Sequence, residues 1–143
     1  MIKLWGTMLV LLAFFVAGEK ITRLKRRRLD YIEAMLQAIS EFEAAVEYFM
    51  VPVPKALEKS GILCARNLAE ESGVLTSEDR NAYGIFISGA SACTVSGQLE
   101  NARAYKNRLS LEETEERDKY KKESGLIKGG SLLSGLLLVV MLL

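Results

Sequence analysis

The sequence predicts an all-α protein: an antiparallel helical bundle whose two long helices continue into transmembrane helices at the N and C termini. Three observations carry this. Half of the 143 residues are hydrophobic and only two are proline, a balance that favours long helices over the frequent turns of a small β protein. Apolar runs occupy both ends. Between them, Ile32, Met35, Ile39, Phe42, Val46 and Phe49 recur at alternating steps of three and four, which lines one face of a helix.

The first run, Ile2 to Gly18, is apolar apart from Lys3 and Thr7. It is at the short end of the roughly 17 to 25 residues needed to cross a ~30 Å hydrocarbon layer, so Lys3 must snorkel to the interface. A cleavable signal peptide would use Lys3 as its basic start and Val16, Ala17 and Gly18 as its small-residue site. Charge argues for a retained anchor instead. Glu19 to Tyr31 holds six basic and two acidic side chains, and such a collar keeps the following segment on the cytosolic side.

From Glu19 no helix breaker appears before Pro52. One long helix is therefore expected, with Glu33, Gln37, Glu41, Glu43 and Glu47 on its solvated side. Val51-Pro52-Val53-Pro54 must end it, because proline disfavours α conformation in the preceding residue, and Pro54 suits the first turn of a new helix. Short helices follow over Lys55 to Lys59, over Ile62 to Glu71 up to Ser72-Gly73, and over Asn81 to Ser88. Thr76-Ser77-Glu78-Asp79 serves as the capping region of the last of these.

Gly89 to Cys93 reads as a turn, and Thr94 or Ser96 as the cap of a final long helix with Val95, Leu99, Ala102 and Leu109 on one face. Its charged stretch carries Glu113 with Arg117, Glu115 with Lys119 and Asp118 with Lys122 at i, i+4, each pair contributing roughly 0.2 to 0.5 kcal/mol. The closing run, Leu126 to Leu143, is apolar apart from Lys128 and two serines. At ~1.5 Å per residue, Lys20 to Met50 and Gly97 to Gly125 span about 46 and about 43 Å, so the two long helices match in length.

Residues 1–18 and 126–143 are thus expected to span the membrane and 19–125 to form the helical bundle. Arg117 to Lys128 holds five basic and two acidic residues, whereas Glu33 to Glu116 holds fourteen acidic and seven basic. Arg26, Arg27 and Arg28 after the first span, and Lys121 and Lys122 before the second, put the bundle on the same cytosolic side from both ends. Ala13 with Ala17, Gly130 with Ser134, and Ser131 with Gly135 offer small surfaces for close contact of the two spans.

Little in the sequence points to chemistry. Histidine is absent and Cys64 and Cys93 are the only cysteines, which removes the commonest general base and the usual transition-metal ligands. With no base nearby to activate a thiolate, both cysteines read as small buried side chains. The three arginines read as a topological lock on anionic lipid rather than a phosphate site. Glu112, Glu113, Glu115 and Glu116 radiate around a helix without the loop geometry of calcium sites. Gly84, Gly89 and Gly97 lack phosphate-loop spacing and read as turns or close helix contacts. Pro52-x-Pro54 reads as an interhelical corner. No enzyme activity, cofactor, metal, nucleic acid or small-molecule substrate is expected.

Met1-Ile2-Lys3-Leu4 with Gly6, Gly18 closing the first span, the basic run to Arg28, and the corner of Glu43, Val46, Tyr48, Pro52, Val53, Pro54, Ala56 and Leu57 occur in one order along the chain. Gly97-Gln98-Leu99, Lys121 and Lys122 before Gly125, and Gly129-Gly130 ahead of the leucine-rich end follow them. Together, over nearly the whole length, these features resemble the stage III sporulation protein AB family of spore-forming Gram-positive bacteria. The chain departs from the family pattern at Ala45 and over Ala90-Ser91-Ala92-Cys93-Thr94.

The resemblance implies a platform subunit of the transenvelope complex between mother cell and forespore, in the mother-cell membrane around the forespore. Its soluble part would be similar to the cytosolic domain of F-type platform proteins of type II secretion. Implied partners are a sporulation secretion-type ATPase, other membrane subunits of the channel, and membrane lipids. The expected docking region is the corner of Tyr48, Val51, Pro52 and Pro54, which lies farthest from the bilayer in this arrangement. The alternative is an unrelated two-span anchor or regulatory adaptor that binds a soluble signalling protein.

Overall fold

The computed structural model describes residues 2–92 and 94–142. Its elements are α1 (Ile2–Glu47), α2 (Val53–Lys59), α3 (Ile62–Glu71), α4 (Ser77–Ala92) and α5 (Val95–Leu142), with no strand among the described residues. The all-helical class expected from composition is what the chain adopts. By length and composition, α5 is long and apolar enough among the described residues to cross a membrane, and the apolar stretch that qualifies it is hardly buried.

The chain divides into two compact units, residues 27–115 and a second unit made of residues 1–26 with 116–143. In the 27–115 unit the stripe on α1 is the core. Ile32, Met35, Ile39 and Phe42 are at most 1% exposed, and Val46 is buried with them. Phe42 meets the Phe86 ring of α4 edge-on at 5.8 Å, and Phe86 stacks on Tyr105 of α5 at 5.0 Å, geometries that favour aromatic pairs beyond their buried area. Ala56 of α2, Ile62 and Ala69 of α3, and Ala102 and Leu109 of α5 close the cluster.

Three expectations fail here for physical reasons. The stripe stops one step early: α1 ends at Glu47, and Phe49 lies beyond it, 75% exposed. Glu43 is not solvated, because its carboxylate accepts from Lys106 at 2.8 Å and pairs with Arg103 at 3.4 Å, leaving the side chain 12% exposed. The turn expected at Gly89 is helix, since α4 runs on to Ala92. Cys93 lies outside the described residues.

The links between elements follow local chemistry. Gly73 takes φ +67° after α3, where its amide donates to Glu70 O and the Val74 amide to Ala69 O, the paired bonds of a Schellman ending. Gly61, at φ +74°, opens α3. Thr76 caps α4 reciprocally: the Asp79 amide donates to Thr76 Oγ1 at 3.2 Å and the Thr76 amide donates to Asp79 Oδ2 at 2.8 Å. At α5 the Gln98 amide donates to Thr94 O, so Thr94 rather than Ser96 starts the helix.

In the other unit Gly18 is buried, and a Cβ built on it would stand 3.4 Å from Ser131 Oγ. One on Gly135 would come within 2.5 Å of Leu11 Cδ2. Thr22 is buried and donates to Gly18 O at 2.9 Å. Lys25 pairs with Glu123, and Arg26 lies over the Tyr120 ring at 6.0 Å. Close contact therefore uses Gly18 and the Ser131–Gly135 pair. Ala13 and Ala17 are exposed, and Gly130 has open space where a Cβ would be. Of the charged stretch on α5, Lys119 lies 3.7 Å from Glu116, at i, i+3.

Candidate functional site: the corner after the first helix

Past Glu47 the backbone leaves the helix abruptly. The Tyr48 amide still reaches Ala44 O, but Met50 takes φ +49° and the Val51 amide folds back to Ala45 O at 3.1 Å. A non-glycine residue in the left-handed region costs roughly 1 to 2 kcal/mol, so this corner carries strain. Pro52, at φ −56° and ψ 139°, then accepts the Ala56 amide at 2.9 Å, and Pro54 occupies the first turn of α2 where no amide is needed.

This geometry leaves three consecutive large side chains, Tyr48, Phe49 and Met50, 75 to 85% exposed. Beside them opens a groove of about 710 Å³. Its near wall is Met50, Val51, Pro52, Val53, Pro54 and Leu57. Its far wall is Ile87, Ala90 and Ser91 at the end of α4 with Val95, Gln98 and Leu99 at the start of α5. Among the described residues, Glu47 is the one charged residue that lines it. An apolar concavity next to exposed aromatic and Met side chains suits an apolar anchor from a protein partner.

The residues singled out from sequence divide here. Val51, Pro52 and Pro54 line the groove, Val51 half-buried and both prolines exposed. Tyr48 belongs to a neighbouring polar depression with Glu43, Glu47, Arg103 and Lys106. The far wall escaped sequence reading because Gly89 to Ala92 looked like a turn. Val95 was expected on the packed face of α5, yet it is 59% exposed at the groove, while Ala102 and Leu109 are buried. An unbroken helix through Gly89 is what brings the end of α4 alongside α5. A Cβ at Gly89 would fall 2.6 Å from Asn101 Nδ2, which donates to Phe86 O at 2.8 Å, and Gln98 Nε2 donates to Ala90 O at 3.0 Å.

Of the basic collar, Arg27 is exposed, whereas Arg28 is turned into the 27–115 unit. Its guanidinium donates to Asp79 Oδ2 at 2.9 Å and to Val74 O at 3.2 Å. Burial alone would push the Asp79 carboxyl up; the Thr76 amide and the Arg28 guanidinium outweigh it and hold the carboxyl below the usual carboxylate range. Lys121 and Lys122 are exposed on α5. In the core of the 27–115 unit, burial above all pushes the Tyr31 hydroxyl up to about 12, and it raises Tyr105, which shares a hydrogen bond with Tyr31, further still.

Cys64 is exposed on α3, contrary to its reading as a buried side chain. No group of three metal-ligating side chains gathers among the described residues. Comparison with family models, with curated proteins and with solved structures finds no match for this chain.

Proposed function

We propose that this chain is a membrane-anchored, non-enzymatic platform subunit of a sporulation-type transenvelope complex, and that the groove at its corner docks a cytosolic secretion-type ATPase. In this reading both ends span the mother-cell membrane around the forespore. The middle is an antiparallel helical bundle in the cytosol, and other membrane subunits of the channel lie beside it.

The observation that carries the anchoring is a separation of charge and apolarity between the two units. The unit containing both ends holds ten basic and four acidic residues, against nine and fourteen in residues 27–115. In the unit containing both ends Trp5, Leu9, Phe15, Leu126 and Leu137 are each at least 65% exposed. Contiguous exposed apolar surface of this kind marks a lipid or protein contact, and the basic residues beside it match the positive-inside pattern. Pairing of Glu47 with Arg103 and of Glu43 with Lys106 supports opposite directions for α1 and α5.

The system and the ATPase come from the resemblance of the corner and of both termini; the place of docking comes from the groove. Affinity purification of the full chain from detergent-solubilised membranes of sporulating cells tests both. Recovery of a secretion-type ATPase that is lost on Met50→Glu and Val95→Glu supports the reading. Recovery of a single soluble signalling protein instead would favour a regulatory adaptor.

A further inference from the structure

We infer that the unit containing both ends holds one anionic phospholipid in a groove between α1 and α5, with an acyl chain along the apolar walls and the phosphate on Lys128. This rests on the membrane reading above and adds to it a defined lipid site. The groove encloses about 610 Å³, within the usual range of ligand pockets. Met8, Leu12 and Phe15 of α1 and Leu132 of α5 form apolar walls, which cover about 10 Å of helix from Met8 to Phe15. Gly18 and Ser131 line the groove as well, and the missing side chain of Gly18 lets the helices approach there.

Two charged residues, Glu19 and Lys128, share one end of this groove. Glu19 is engaged by Arg23 at 2.8 Å. Lys128 forms no ion pair among the described residues and its side chain is exposed, so the mouth of an apolar groove carries an uncompensated cation. The ligand that satisfies both parts has a hydrocarbon tail and an anionic head. A zwitterionic lipid satisfies the walls alone. The excess of basic residues in this unit raises the local concentration of anionic headgroups further.

The full chain, reconstituted into vesicles of phosphatidylcholine with a minority of phosphatidylglycerol, tests this by electron spin resonance of spin-labelled lipids. Spin-labelled phosphatidylglycerol is expected in the motionally restricted fraction with about fivefold preference over spin-labelled phosphatidylcholine, the ratio one lysine near such a headgroup provides. Lys128→Ala should abolish most of the preference, whereas Lys121→Ala with Lys122→Ala should retain it. Leu132→Trp, which fills the groove, should reduce the restricted fraction of both lipids. Equal restriction of the two lipids, or a preference unchanged in Lys128→Ala, overturns the site while leaving the membrane anchoring intact. Failure of the chain to enter the vesicles overturns the anchoring and the site together.

Discussion

The Arg28 guanidinium donates to the same Asp79 oxygen that accepts the Thr76 amide at the start of α4. One carboxylate thereby caps a helix and fastens α1 to the loop before it, and it is only 6% exposed. Asp79→Ala removes the carboxylate arm of the cap, worth typically about 1 kcal/mol, and takes the charged partner from the partly buried Arg28 guanidinium. The combined loss is expected to be about 2 to 3 kcal/mol, read as a lower melting temperature of the full chain in detergent.

The same pair sets the acid limb of stability. A carboxyl held below its unfolded value binds its proton less readily when folded. Its contribution is complete above the ordinary aspartate value near about 4 and fades as the pH falls below it. Melting temperature should therefore drop on acidification from pH about 5 to about 3, and Asp79→Asn should flatten that limb.

At the alkaline end Tyr31 and Tyr105 act with the opposite sign. Both hydroxyls are raised above the ordinary tyrosine value, Tyr31 to about 12, so the folded state keeps protons that the unfolded chain loses. Their contribution is full below pH about 10 and is lost as the pH rises through the folded values. Tyr31→Phe should shrink the loss of melting temperature between pH about 10 and about 12.

Much of the fold was readable because periodicity reports burial directly. Ile32 through Val46 had to face one way, and that face is the core. The capping signature at Thr76 and Asp79 and the stop at Gly73 are equally local, and they appear where the residues predict them. What stayed hidden depends on distant partners. Gly89 and its small neighbours look like a turn in isolation, yet they are helical because α4 must approach Asn101 closely. Arg28 looked like one more collar charge until Asp79, far along the chain, met it. Val51, Pro52 and Pro54 on one wall of the groove were named from the sequence; the far wall belongs to helix ends that carry no signature of their own.

Two glycines of α4 separate these causes. Gly84 has nothing within 4 Å of a built Cβ, whereas at Gly89 the Asn101 amide stands 2.6 to 3.0 Å away. Gly84→Ala should stabilise the full chain by about 0.5 to 1 kcal/mol through helix propensity. Gly89→Ala should destabilise it by about 1 to 2 kcal/mol, since displacing Asn101 breaks its bond to Phe86 O and overpacks the contact. Thermal melts of the two variants side by side check both signs.

At the groove, Met50 and Val95 are exposed enough to change without touching the core. Met50→Glu and Val95→Glu are expected to leave the melting temperature within the change of about 0.5 kcal/mol typical of surface substitutions. Each should weaken capture of the ATPase by about 2 kcal/mol or more, roughly 30-fold, as an apolar hot spot would. Binding titrations of the full chain in nanodiscs provide the number.

Cys64 offers the most direct test of the arrangement proposed for the membrane, because its side chain is exposed on α3 within residues 27–115. In a Cys93→Ser background, a membrane-impermeant maleimide should fail to label Cys64 in intact cells and should label it fully once the membrane is opened. Labelling of Cys64 in intact cells would place that unit on the outer face, out of reach of any cytosolic ATPase, and would contradict the account.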